Sequence, residues 1–266
     1  MLQKRPPIRY IALAGLIGAG KTTMAKSMRE PLQSLEGSPR VKCWFEKVEN
    51  NKLLAAFYED MKAHSFTLQI SLLMQRHQQQ QQINWASDHD IHVQDRSIYE
   101  DAIFAKMQAD SGLMDGHQYK TYCEAFATVS KYMQQPDLIV FLDVSPETSI
   151  QRIRKRNRAM EKGITIEYVR DLHVRYRSAL KDISKHVPVI RVPWDDASDS
   201  AGVARRLVKA WEEGLSSSMH TLQMSDGGDA DPDTSPQLGD VGEEITISAV
   251  PDFQSATVEV ACAKKK

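Results

Sequence analysis

No sign of charge dominates this chain. Across 266 residues, 34 Lys and Arg face 35 Asp and Glu, a net charge of −1. A global field that gathers nucleic acid or anionic membrane is thereby excluded, and any basic patch has to be local. Cysteine is scarce as well. The three residues Cys43, Cys123 and Cys262 are odd in number and lack metal-ligand spacing, which points to a reducing, cytoplasmic compartment. Nor does any stretch approach the ~20 apolar residues of a membrane span. The N-terminal MLQKRPPIRYIALAGLIGAG places basic residues before an apolar run, as a secretion signal does. That run is rich in Gly, however, and leads into GKTT rather than a small-residue cleavage site, so it reads as a strand and a loop.

Short apolar runs recur at 9–14, 41–45, 91–94, 138–143 and 187–192, separated by stretches of helical spacing at 21–35, 51–86, 98–134, 146–183 and 197–213. Apolar strands alternating with helices predict an α/β fold, a five-stranded parallel sheet flanked by helices. The glutamine run 78–82 reads as the solvated end of a long helix. Residues 1–213 are expected to form the main domain.

After it, residues 214–243 contain no Lys or Arg and are built from Ser, Gly, Pro and Asp, the composition of a flexible acidic linker. Beyond it, EITISAV (244–250) and SATVEVAC (255–262) alternate apolar and polar residues, a strand signal. Two strands alone are marginal in water, so they predict docking on a sheet edge, of this chain or of a neighbour. A tail without structure is the competing reading.

GLIGAGKT (15–22) fits G-x-x-x-x-G-K-[ST], between a strand and a helix, the context that makes this motif a phosphate loop and not a chance Gly-rich turn. Gly15, Gly18 and Gly20 let the backbone curl, so that N–H groups from Gly15 through Ala19 to Thr23 converge on phosphate oxygens. Lys21 supplies a point charge and Thr22 a hydroxyl to Mg²⁺. The motif identifies a nucleoside triphosphate, not a reaction. Parallel sheets bind ligands beyond the carboxyl ends of their strands. Those ends add Glu46, Asp95 and Arg96: two carboxylates and a guanidinium, the parts that phosphoryl transfer uses. A further carboxylate, Asp101, closes the stretch QDRSIYED (94–101).

VKCWFEKVENNKLLAAFYEDMKAHSFTLQISLLMQR, QDRSIYEDAIFAKMQADSGLMDGHQYKTY, PDLIVFLDVSPETSIQRIRKRNRAMEKGI and IEYVRDLHVRYRSAL, taken with the loop, resemble the deoxyribonucleoside kinase family over residues 8–195. The likeness is nearest to the branch acting on deoxyadenosine, deoxyguanosine and deoxycytidine. The resemblance implies a P-loop kinase fold with an Arg-rich lid, and ATP-dependent 5′-phosphorylation of a purine deoxyribonucleoside in nucleotide salvage, with Mg²⁺ accompanying ATP. Deoxyadenosine is favoured, and deoxyguanosine and deoxycytidine remain alternatives.

Carried over by position, Glu46 is the general base on the 5′-hydroxyl, Arg96 steadies it, and Asp95 helps hold Mg²⁺. Lys47 stands where the family often has proline. Tyr58 and Glu161 match the pair that bonds the sugar 3′-hydroxyl; alone, Tyr58 would read as helix packing. Gln69, Arg76 and Asp101 match the trio that reads the base. Arg152, Arg156 and Arg158 in RIRKRNR match the lid residues around the triphosphate, whereas Arg154 and Lys155 read as surface charges. The family's adenine loop falls near Trp194, with no residue assigned. The resemblance also implies a homodimer, extended to a tetramer if the C-terminal strands assemble it. Two alternatives remain: a thymidylate-type monophosphate kinase, which would need cations for its acceptor phosphate, and a silent structural subunit of the same fold.

Overall fold

β1 (Tyr10–Gly15) and β4 (Leu138–Asp143) are buried at every position, which places them inside a sheet covered on both faces. The computed structural model describes residues 8–46, 51–86, 90–213 and 219–222. Its sheet has the order β2–β3–β1–β4–β5–β6 and is parallel throughout, with β2 at Arg40–Trp44, β3 at Asp90–Asp95, β5 at Val189–Pro193 and β6 at Met219–Thr221. Alternation along β1 sorts the core into two layers. Tyr10, Ala12 and Ala14 face one cluster with Leu73, Ile103 and Tyr176, while Ile11 and Leu13 face another with Met24, Leu207 and Trp211.

The five expected strands are present, and β6 is an addition. It lies within the segment read as linker and pairs with β5, where Leu222 N–H donates to Arg191 C=O at 2.8 Å. Backbone pairing at an open sheet edge does not need an apolar pattern, so three residues of polar surroundings join the sheet without a compositional signal. The runs 244–250 and 255–262 and Lys47 lie outside the described residues.

The long helical stretches are broken by local chemistry. Asp60 accepts from Ala63 N–H and starts α4 (Met61–Asn84) directly after α3 (Lys52–Glu59). Gly112, at φ 70°, and a capping box at Asp115 and Gln118 part α5 (Ile98–Asp110) from α6 (Gly116–Ser130). Asn157, left-handed at φ 50°, ends α7 (Pro146–Arg156), and a 3₁₀ turn at Ala159–Glu161 precedes α8 (Ile166–Ile183). The phosphate loop opens α1 (Lys21–Ser27), with α2 (Arg29–Gln33) behind it, and α9 (Ser200–Glu213) covers the second layer. The glutamine run is only partly solvated. Gln80 is buried, its amide donating to Gln134 C=O, and Gln79 bonds Phe45 C=O and Gln94, because α4 passes close to the sheet there.

Candidate active site

Three of the chain turns that leave the sheet, after β1, β2 and β3, open into one cavity of about 730 Å³. Gly18, Ala19, Gly20, Lys21, Thr22 and Thr23 line it on one side. Glycine is needed in this loop for definite reasons. A Cβ on Gly15 would lie 2.8 Å from Leu142 C=O, and Gly20 caps α1 with φ 93°, its face turned to the Trp194 indole. Lys21 is buried and donates to the carbonyls of Gly15 (2.7 Å) and Leu16 (2.9 Å). Burial and the neighbouring Arg96 guanidinium lower its pKa to about 8, against the opposing pull of Glu100, Asp95 and Glu46. Thr22 Oγ1 donates to Asp95 Oδ2 at 2.6 Å. A hydroxyl and one carboxylate beside a phosphate loop is the donor set Mg²⁺ takes when phosphates and water complete its shell, so the residues fit that ion. Among the described residues no cluster of three His, Cys, Asp or Glu side chains is placed to hold a metal by protein ligands alone.

Glu46, at the end of β2, sits between two arginines. Arg96 Nε donates to its Oε2 at 3.1 Å and Arg76 Nη2 to its Oε1 at 3.0 Å. Burial on its own would raise the Glu46 pKa, but Arg96, Arg76 and Lys21 together hold it down at about 2. Arg96 reaches this place through its backbone. Its φ of 71° is a left-handed conformation rare for a non-glycine residue, and it turns the chain sharply between β3 and α5.

Glu100 and Asp101 are neighbours in sequence, and each serves a different arginine. Asp101 Oδ2 lies 2.6 Å from Arg76 Nε. Glu100 Oε1 lies 3.3 Å from Arg96 Nη1, accepts from Tyr176 OH at 2.5 Å and from the Gly15 amide at 3.3 Å. Glu100 and Tyr176 were not singled out in the sequence. The i,i+4 spacing of Arg96 and Glu100 was the available signal for the first; Tyr176 comes from α8, 80 residues beyond Arg96 (2.8 Å), and had none. Phe104 adds its ring face, with Arg96 Cζ 5.0 Å from the centroid.

The remaining predicted residues line the same cavity: Tyr58, Gln69, Arg76, Asp101, Arg152, Arg156, Arg158 and Glu161. Arg76 does more than the base-reading pair required, since it bridges Asp101 to Glu46. Burial raises Asp101 to about 6 in spite of Arg76. The lid arginines divide their work. Arg152 donates to Ala19, Trp194 and Asp195 carbonyls at 3.2, 2.9 and 2.9 Å, tying α7 to the phosphate loop and to the turn after β5. Arg156 grips Glu161 at 2.8 and 2.6 Å, and Arg158 lies 3.6 Å from the same carboxylate. Arg154 and Lys155 are exposed, as expected of surface charges. Burial, with Tyr168 and Glu161 close by, pushes the Tyr58 phenol well above its ordinary pKa, so it remains a hydroxyl.

A parallel sheet, a phosphate loop and an acceptor cavity that brings an ionised carboxylate between arginines define a P-loop phosphotransferase. A family model described as deoxynucleoside kinase matches residues 11–216. The deoxyadenosine kinase of Dictyostelium discoideum is 46% identical over 203 residues, covering 76% of this chain and 79% of that protein. The deoxyadenosine/deoxycytidine kinase of Bacillus subtilis is 36% identical over 194 residues, covering 72% and 85%. A solved structure of deoxyadenosine kinase from M. mycoides with bound dATP superimposes with a TM-score of 0.65 at 28% identity, over 77% of this chain and all of that one. The chain belongs to the deoxynucleoside kinase family, and it is a deoxynucleoside kinase.

Proposed function

We propose that the protein phosphorylates the 5′-hydroxyl of deoxyadenosine with ATP, and that the monophosphate enters nucleotide salvage. The observation that carries this is Glu46, ionised between Arg76 and Arg96 in the cavity that also holds the phosphate loop. The curated names of the relatives support the base: deoxyadenosine for the Dictyostelium protein, deoxyadenosine and deoxycytidine for the Bacillus one.

In the proposed mechanism the loop amides and Lys21 hold the triphosphate, while Thr22 and Asp95 are the residues that would hold Mg²⁺. Bound there, the ion would offset charge on the β- and γ-phosphates. Tyr58 and Glu161 position the sugar through its 3′-hydroxyl, and Gln69, Arg76 and Asp101 read the base edge. Glu46 receives the 5′-hydroxyl proton. With its pKa at about 2 it cannot deprotonate an alcohol beforehand, so the proton moves late in a loose transition state, as the bond from the γ-phosphorus to the leaving ADP breaks and the bond to the 5′-oxygen forms. Arg96 keeps the carboxylate aimed, itself held by Glu100 and Tyr176. Arg156 and Arg158 exchange Glu161 for phosphate as the lid engages the donor, which excludes water from the reacting groups.

We assign the chain to the cytoplasm, a reading supported by the free thiols Cys43 and Cys123. We assign it a homo-oligomeric state on the resemblance to its family. A monophosphate kinase is disfavoured because Arg76 and Arg96, the cations beside the 5′ position, are already paired with Glu46, whose negative charge would repel an acceptor phosphate. Initial rates with the four natural deoxynucleosides at matched ATP and Mg²⁺ test the proposal. Deoxyadenosine should lead; a lead by thymidine, or phosphorylation of a monophosphate only, contradicts it.

A further inference from the structure

The base end of the cavity holds a polar side chain that the expected trio leaves out. Gln108 lies two helical turns beyond Asp101 on α5, lines the cavity and is 1% exposed. Its Oε1 has no hydrogen-bond partner, and neither has Oε1 of the equally buried Gln69. Unpartnered buried acceptors are costly, and a methionine or leucine of similar bulk would avoid the cost at position 108. Its backbone is fixed, because the Gln108 carbonyl accepts from Leu113 N–H at 2.8 Å and Met114 N–H at 3.2 Å. Arg76 faces Asp101 at 2.6 Å, Glu46 at 3.0 Å and Arg96 C=O at 3.3 Å, and still has one N–H on each terminal nitrogen for the base. Gln69 Oε1 and Gln108 Oε1 are carboxamide acceptors left there for a donor on the base.

We propose that Gln108 is a further specificity-determining residue, whose carboxamide oxygen accepts an N–H from the exocyclic amine of the nucleobase. The pocket then selects a base bearing an amino group over one bearing a carbonyl at the same position. This rests on the reading that the cavity holds a nucleoside.

Deoxyadenosine and deoxyinosine differ at that group and serve as probes. In Gln108→Met, kcat/KM for deoxyadenosine should fall roughly three- to tenfold, the size of one lost neutral hydrogen bond, mainly through KM. The deoxyadenosine-to-deoxyinosine ratio should narrow by the same factor. A structural role would lower both substrates together and leave the ratio unmoved, which overturns the proposal. Gln108→Leu repeats the measurement with a second shape. The unaltered enzyme supplies an arm that needs no variant: equal kcat/KM on the two nucleosides overturns the proposal. Phosphorylation of neither nucleoside would remove the reading of the site as well, whereas phosphorylation with an unmoved ratio removes Gln108 alone.

Discussion

Replacing Glu46 by Gln tests the proton acceptor while leaving the side chain's shape unchanged. Gln keeps the shape and one acceptor oxygen, but it removes the negative charge along with the base and turns an NH2 toward one of the two arginines that Glu46 binds. Arg76 retains Asp101 at 2.6 Å, and Arg96 retains Glu100 at 3.3 Å and Tyr176 at 2.8 Å, so neither guanidinium is left buried without a partner. The binding groups for sugar and base stay in place, and the nucleoside Kd should change by no more than a few-fold. A positioned general base contributes typically ~10²–10⁴ in rate. We expect kcat to fall by at least ~10², because a carboxylate held at a pKa of about 2 contributes through its position late in the reaction and not through strong basicity. The assay is single-turnover formation of deoxyadenosine monophosphate at saturating ATP, paired with calorimetric binding of deoxyadenosine. A kcat within threefold of the unaltered enzyme would remove Glu46 from proton transfer. Loss of binding with an unchanged rate on the bound fraction would make it a binding residue only.

Lys21 should produce an alkaline limb: it holds phosphate when protonated, so kcat/KM for ATP should be flat below its pKa of about 8 and fall above it. Bound triphosphate raises that pKa, so the limb in kcat should lie at higher pH; a profile flat to pH 10 contradicts the assignment. Replacing both Arg76→Met and Asp101→Ala removes the buried pair together, leaves Glu46 held by Arg96 alone of its two arginines, and should shift preference toward thymidine. Retained preference for deoxyadenosine would sink this account of base reading. Light scattering compares the full chain with one ending after Leu222, a cut that spares β6; fewer subunits per particle are expected for the shorter chain if the tail joins subunits, and an equal number of subunits refutes that role.

The parallel sheet was legible because β1 and β4 are apolar at nearly every position, and the phosphate loop because its glycines, Lys21 and Thr22 are contiguous. The boundaries were less so. Asp60 and Asn157 end helices by capping and a left-handed turn, local events that an apolar period does not register. β6 was missed because edge pairing uses the backbone. In the site, residues that act through the chain ends of strands were found, whereas their supports were not. Tyr176 meets Arg96 and Glu100 only after α8 has packed against α5. Gln80, inside what reads as a solvated run, is buried because α4 lies against the loop that carries Gln134.

The central claim is a single pocket in which a nucleoside's primary alcohol meets both Glu46 and the terminal phosphorus. A crystal structure with deoxyadenosine and a non-hydrolysable ATP analogue measures it directly. The 5′-oxygen should lie within about 3 Å of the Glu46 carboxylate and about 3–3.5 Å from the γ-phosphorus, in line with the bond that breaks. A nucleoside bound with its 5′-oxygen turned away from Glu46, or seated outside this cavity, would contradict the account.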